Sequence, residues 1–100
     1  MSTMTVVEFL TFEVPPTEQA EWLEVEERHW SRFLERQPGF VKKQMWEDAD
    51  DSSQIHAVIW WESMEHWKAV PKADLAAVAD AMGRHELQPT LKTFNLLRDC

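Results

Sequence analysis

The sequence predicts an α+β domain of element order βαββαβ, a four-stranded antiparallel sheet with both helical segments on one face. Three observations carry this prediction. Residues 3–14 and 54–62 are β-rich and apolar on both parities, as central strands are. Residues 40–47 and 91–98 are strand-like but carry Lys42, Gln44, Lys92 and Arg98, as edge strands do. Two helical patterns lie between them, each bounded by Pro or Gly.

The first strand, 3–14, places Val6, Leu10 and Phe12 on one parity and Val7 and Phe9 on the other. Pro15-Pro16 stops it, and Thr17 is a candidate N-cap with Glu18 and Glu21 in the first helical turn. The helix is predicted over 18–37, with Trp22, Leu23, Val25, His29, Trp30, Phe33 and Leu34 on one broad face. Glu26 projects from the middle of that face. Gln37-Pro38-Gly39 ends the helix, with Gly39 suited to a left-handed turn. The second strand spans 40–47, and the polar run DADDSS at 48–53 is a hairpin loop.

In the third strand Ile55, Ala57, Ile59 and Trp61 share one parity, and His56, Val58 and Trp60 the other. Ser63 caps the next helical turn, which holds Met64 and Trp67. Pro71 either kinks that helix or starts a new one running through Leu75, Val78, Ala79 and Met82 toward Arg84. Pro89 closes it, and 91–98 is the last strand. This order is that of the split βαβ, ferredoxin-like domain, whose first and third strands are central. Two helices cover one face of such a sheet, so the apolar residues on the other face require a second cover, and a homodimer packed sheet to sheet is expected.

One hundred residues suit one domain, 1–100. A net charge of −8 argues against nucleic acid and anionic membranes as partners, because phosphate binding needs clustered Lys and Arg. The apolar runs are strand-length, so no membrane span is expected, and the start lacks a signal-peptide pattern; a cytoplasmic location is expected. The single cysteine, Cys100, makes no internal disulfide. His29, His56, His66 and His85 lie on different elements and never at ligand spacing, so no metal is expected.

Gln37-Pro38-Gly39-Phe40, the acidic hairpin and Val58-Ile59-Trp60-Trp61-Glu62-Ser63 resemble the dimeric α+β barrel superfamily, and within it the antibiotic-biosynthesis monooxygenase-like proteins. The resemblance is closest to a small group of uncharacterised cyanobacterial proteins of this fold. It implies a homodimer and, in the quinone-forming oxygenases of the superfamily, chemistry without metal, flavin or other cofactor. The haem-degrading members use a strand-one asparagine, a strand-three tryptophan and a helix-two histidine; only the tryptophan has a counterpart, Trp60 or Trp61. Strand one carries Glu8 as its best-placed polar residue, His66 comes in the first turn of the helix, and His85 lies near its end.

Two functional readings follow. In one, the protein is a cofactor-independent monooxygenase-like enzyme or binder of a small aromatic molecule. Glu26 and His29 are then the candidate catalytic pair, because a carboxylate on an apolar face is placed to act as a general acid or base. Glu8, His56, Trp60, Trp61 and His66 are the candidate ligand-binding residues, with Glu8, His56 and Trp60 forming a patch polar at one end and aromatic at the other. In the alternative, the protein is a non-catalytic homodimeric binding or regulatory protein. Its tryptophans are then core and interface, and Glu26 pairs with His29 or a strand-two lysine.

Overall fold

A computed structural model describes residues 4–100, so the part of the first predicted strand at Thr3 lies outside the described residues. Four strands, β1 (Val6–Glu13), β2 (Phe40–Glu47), β3 (Gln54–Trp61) and β4 (Thr90–Asn95), form one antiparallel sheet of order β2-β3-β1-β4. The two strands with apolar residues on both parities are the central ones. β4 is exposed along its whole length and stops at Asn95, short of the predicted residue 98.

Register decides which side chains share a face. Opposite Val6, Glu8, Leu10 and Phe12 of β1 stand Trp61, Ile59, Ala57 and Ile55 of β3, all on the helix side. Val7, Phe9 and Thr11 pair with Trp60, Val58 and His56 on the open side. An irregularity between Phe40 and Lys42 resets β2, so Lys43 falls opposite Ile59 and Lys42 opposite Trp60.

The first helix is not the single regular segment predicted. The chain enters it through a 3-10 turn (Pro16–Glu18) and α1 (Gln19–Glu26), passes a π-helical turn (Glu27–Ser31), and finishes in α2 (Arg32–Leu34). Thr17 makes no capping bond. The Gln19 side-chain amide instead ties this corner, donating to the carbonyls of Val14 and Ser52. Pro71 starts a new helix: α3 (Met64–Lys68) and α4 (Lys72–Met82) are separate, with a 3-10 turn (Gly83–His85) after α4. Ser63 caps α3 as predicted, its Oγ accepting from the His66 N–H at 3.2 Å.

Gly39 adopts φ +85°, and a Cβ there would come within 2.3 Å of the His66 side chain. Glycine at this corner therefore allows α3 to sit against the end of the first helix. The core lies between sheet and helices in two clusters, one around Val6, Leu34, Ile59, Trp61 and Val70, the other around Phe12, Val14, Trp22, Ile55 and Ala57. No helix among the described residues is long and apolar enough to cross a membrane.

Candidate functional site

Between the two core clusters the packing leaves a cavity of about 280 Å³. Its floor is the helix side of the sheet, with Glu8, Leu10, Lys43, Ala57, Ile59 and Trp61; Trp30, Trp67 and the segment Glu86 to Pro89 close it from above. The walls are mostly apolar, which suits a small hydrophobic or aromatic ligand.

Glu8 is the one acid that the central strand β1 sends to this side. The indole N–H of Trp61, a fully buried residue, donates to its Oε1 at 3.1 Å. Burial pushes the Glu8 carboxyl above its ordinary 4.5, and the Trp61 bond and the more distant charges of Lys68 and Lys43 only partly oppose this. A carboxyl raised in this way is suited to exchange a proton nearer neutral pH. Across the cavity the indole N–H of Trp30 donates to Glu86 Oε1 at 3.0 Å, so two of the three cavity tryptophans orient a carboxylate.

Glu26 also reaches the cavity, but it is neutralised. Its carboxylate pairs with the ammonium of Lys43, and both side chains are about 95 % buried (exposures of 4 and 5 %). Lys43 Nζ also donates to Ser31 Oγ at 2.6 Å, and Ser31 Oγ lies 3.4 Å from Glu26 Oε1. Positions five apart do not stack on a regular α-helix; the π-helical turn widens the spiral and brings Ser31 over Glu26. Sequence periodicity marked Glu26 and offered a strand-two lysine as its partner, and Lys43 is that lysine. The predicted Glu26 and His29 pair does not form: His29 is half-buried, lines no part of the cavity, and the extra residue of the π turn alters the spacing on which that pairing relied.

The remaining sequence candidates divide between two surfaces. Glu8 and Trp61 face the cavity, whereas His56 and Trp60 lie on the open face of the sheet, so the predicted Glu8, His56 and Trp60 patch does not exist. The physical reason is pairing parity: Glu8 sits opposite Ile59, and one residue of register moves a side chain to the other face. His56 Nδ1 instead pairs with Thr11 Oγ1 at 2.9 Å, and its ring lies 4.8 Å from that of Phe9. His66 Nδ1 bonds the Ser63 hydroxyl at 2.7 Å and packs over Gly39, completing the cap rather than lining the cavity. Trp30 and Glu86 were not singled out, because neither departs from the pattern of its segment. Among the described residues no cluster of His, Cys, Asp and Glu has a metal-holding arrangement.

The open face carries Phe9 at the centre of an aromatic group, with Trp46 6.1 Å and Phe94 5.8 Å away, and Trp60 6.4 Å beyond Trp46. Trp46 and Phe94 keep 44 and 43 % of their surface exposed.

Fold and cavity together define a ferredoxin-like α+β protein with a small-molecule-sized chamber between its sheet and its helices. Residues 5–88 match the antibiotic biosynthesis monooxygenase family, and the chain belongs to that family. No curated protein sequence matches it. Among solved structures it is similar to the ActVA-Orf6 monooxygenase of Streptomyces coelicolor, solved with nanaomycin D (TM-score 0.78, 16 % identity, covering 97 % of this chain and 91 % of that one). It is also similar to SnoaB, a cofactor-independent oxygenase of Streptomyces nogalater (TM-score 0.68, 22 % identity, 99 and 97 % covered). A heme-degrading protein of Mycobacterium tuberculosis aligns with TM-score 0.71, 26 % identity and coverage of 99 and 98 %.

Proposed function

We propose that the helix-side cavity binds a small aromatic molecule and that the protein acts on it as a cofactor-independent, monooxygenase-like enzyme. The observation that carries the reading is Glu8, a carboxyl raised by burial, held by Trp61 and directed into an apolar chamber. In this role Glu8 takes a proton from an acidic hydroxyl or C–H of the bound ring, and the resulting electron-rich anion reacts with dioxygen. Trp30, Trp61 and Trp67 form the aromatic walls, and Lys43 with Glu26 supplies a neutral polar end. The family membership and the oxygenases of similar fold support this reading. Trp60 and His56 belong in it to a second surface, the open face, through which we propose that two copies pack sheet to sheet. The exposure of Trp46 and Phe94 there supports a cover of that kind.

The test uses 1,4-dihydroxynaphthalene as probe, with tryptophan fluorescence reporting binding and an oxygen electrode reporting turnover. Saturable quenching with enzyme-dependent oxygen uptake that is lost in Glu8→Gln is the expected result. Quenching without uptake overturns the catalytic part and leaves a binding protein. The absence of quenching overturns the cavity as a ligand site.

A further inference from the structure

Lys42 and Lys43 are adjacent in the chain but live in opposite environments. Lys42 extends over the open face, its Nζ 4.5 Å from the centre of the Trp60 ring, and is solvent-exposed. Lys43 passes to the helix side, where its side chain is 5 % exposed and lines both the cavity and a surface groove between the first helix and β2. A buried lysine beside a carboxylate and a hydroxyl, at the wall of an apolar chamber, is a familiar setting for carbonyl chemistry rather than for surface solvation.

We propose that Lys43 is a nucleophile that condenses with a small aromatic aldehyde or ketone held in the cavity to form a protonated imine, with Glu26 as the proton shuttle. The inference goes beyond the oxygenase reading and does not depend on it. Glu26 first accepts a proton from the Lys43 ammonium, and the free amine adds to the carbonyl carbon, forming the C–N bond. Glu26 returns that proton to the carbonyl oxygen, giving a carbinolamine. It then takes the second proton from nitrogen and delivers it to the hydroxyl, which leaves as water as the C=N bond forms. The net change is ammonium plus carbonyl to protonated imine plus one water, so atoms and charge balance and no oxidant is needed. Glu26 faces a cation before and after, so the buried pair is never left with an uncompensated charge.

The surroundings make the Lys43 ammonium easier to deprotonate than an exposed one. Burial holds the Lys43 amine below its ordinary 10.5 and outweighs the opposing attraction of Glu26, Glu27 and Glu8. Glu8 and Glu26 share the cavity wall with Glu86, and Glu27 lies in the adjoining surface groove; the hydroxyl of Ser31 is the neutral neighbour of Nζ. The charge of Lys68 on α3 also acts on Glu8. The other four lysines, at 42, 68, 72 and 92, are exposed.

The folded protein is incubated with benzaldehyde and sodium cyanoborohydride, which delivers hydride to the imine carbon and fixes the adduct as a benzyl amine; the chain is then digested and mapped by mass spectrometry. Lys43 is expected to be labelled ahead of the four exposed lysines, and unfolding the protein in urea beforehand is expected to abolish the preference. Lys43→Arg, which keeps a cation against Glu26, is expected to lose that early adduct. Labelling of Lys43 no faster than Lys42 overturns the proposal. The ranking within the wild-type chain decides the matter even if the arginine variant does not fold.

Discussion

Replacing Lys43 by methionine removes the cation from Glu26 while roughly preserving the volume of the side chain. Glu26 is 4 % exposed on its side chain, and Ser31 is its only other hydrogen-bonding partner among the described residues, so the carboxylate is left buried and nearly alone. Breaking a buried pair by removing one partner costs about 3–5 kcal/mol, against a total of about 5–15 kcal/mol for a domain. For a chain of this length each kcal/mol lowers the midpoint of thermal unfolding by roughly 4–8 °C, so a loss of at least about 12 °C is expected. The double replacement Glu26→Leu with Lys43→Met removes both charges and both desolvation costs. It is expected to recover most of the loss, because apolar replacement of a whole buried pair is often about neutral or better. Urea unfolding of wild type, both single variants and the double variant gives the coupling directly. A Lys43→Met cost below about 1 kcal/mol refutes the reasoning, since the lone carboxylate would then have found water or protonated without penalty. A double variant as unstable as the single also refutes it.

Three further outcomes follow from the same structure. The Glu8 carboxyl is raised above 4.5, so on acidification the folded state binds its proton before the unfolded state does. The stability of wild type relative to Glu8→Gln is therefore expected to rise as pH falls through the raised value toward 4.5 and to be flat above that window; paired urea titrations across acidic pH check the sign, and a difference that falls on acidification contradicts it. Gly39→Ala sets a Cβ 2.3 Å from His66 at φ +85° and is expected to lose about 1–3 kcal/mol or more, read by thermal unfolding. Trp46→Glu places a charge in the aromatic group of the open face, and native mass spectrometry is expected to show dimer in wild type and monomer in the variant. A monomeric wild type removes the sheet-to-sheet assembly from the proposed function.

Much of the architecture was legible in the chain because it rests on short-range physics. The two-sided apolar character of residues 3–14 and 54–62 identified the central strands, Gly39 marked its own left-handed turn, and Ser63 announced its cap. Glu26 stood out for the right reason, since a carboxylate on an apolar stripe must find a partner. The errors share one cause. Thr17 satisfied a local rule, but the chain enters the helix through a 3-10 turn at Pro16–Glu18, which puts Thr17 inside the turn rather than at its cap. The pairing of Glu26 with His29 assumed regular helical spacing, and the π turn at Glu27–Ser31 replaced it with spacing that suits Ser31.

The sequence by itself determined the order of the elements, the central and edge strands and the need for a partner to Glu26, because periodicity and turn chemistry act over a few residues. Only the tertiary structure decided which side of the sheet each site residue serves. Strand register sent Glu8 and Trp61 to the cavity and His56 and Trp60 to the open face, and the irregularity in β2 turned Lys43 inward and Lys42 outward. A face is assigned by pairing between strands tens of residues apart, and a shift of one residue reverses it, so a single strand read alone cannot contain that information.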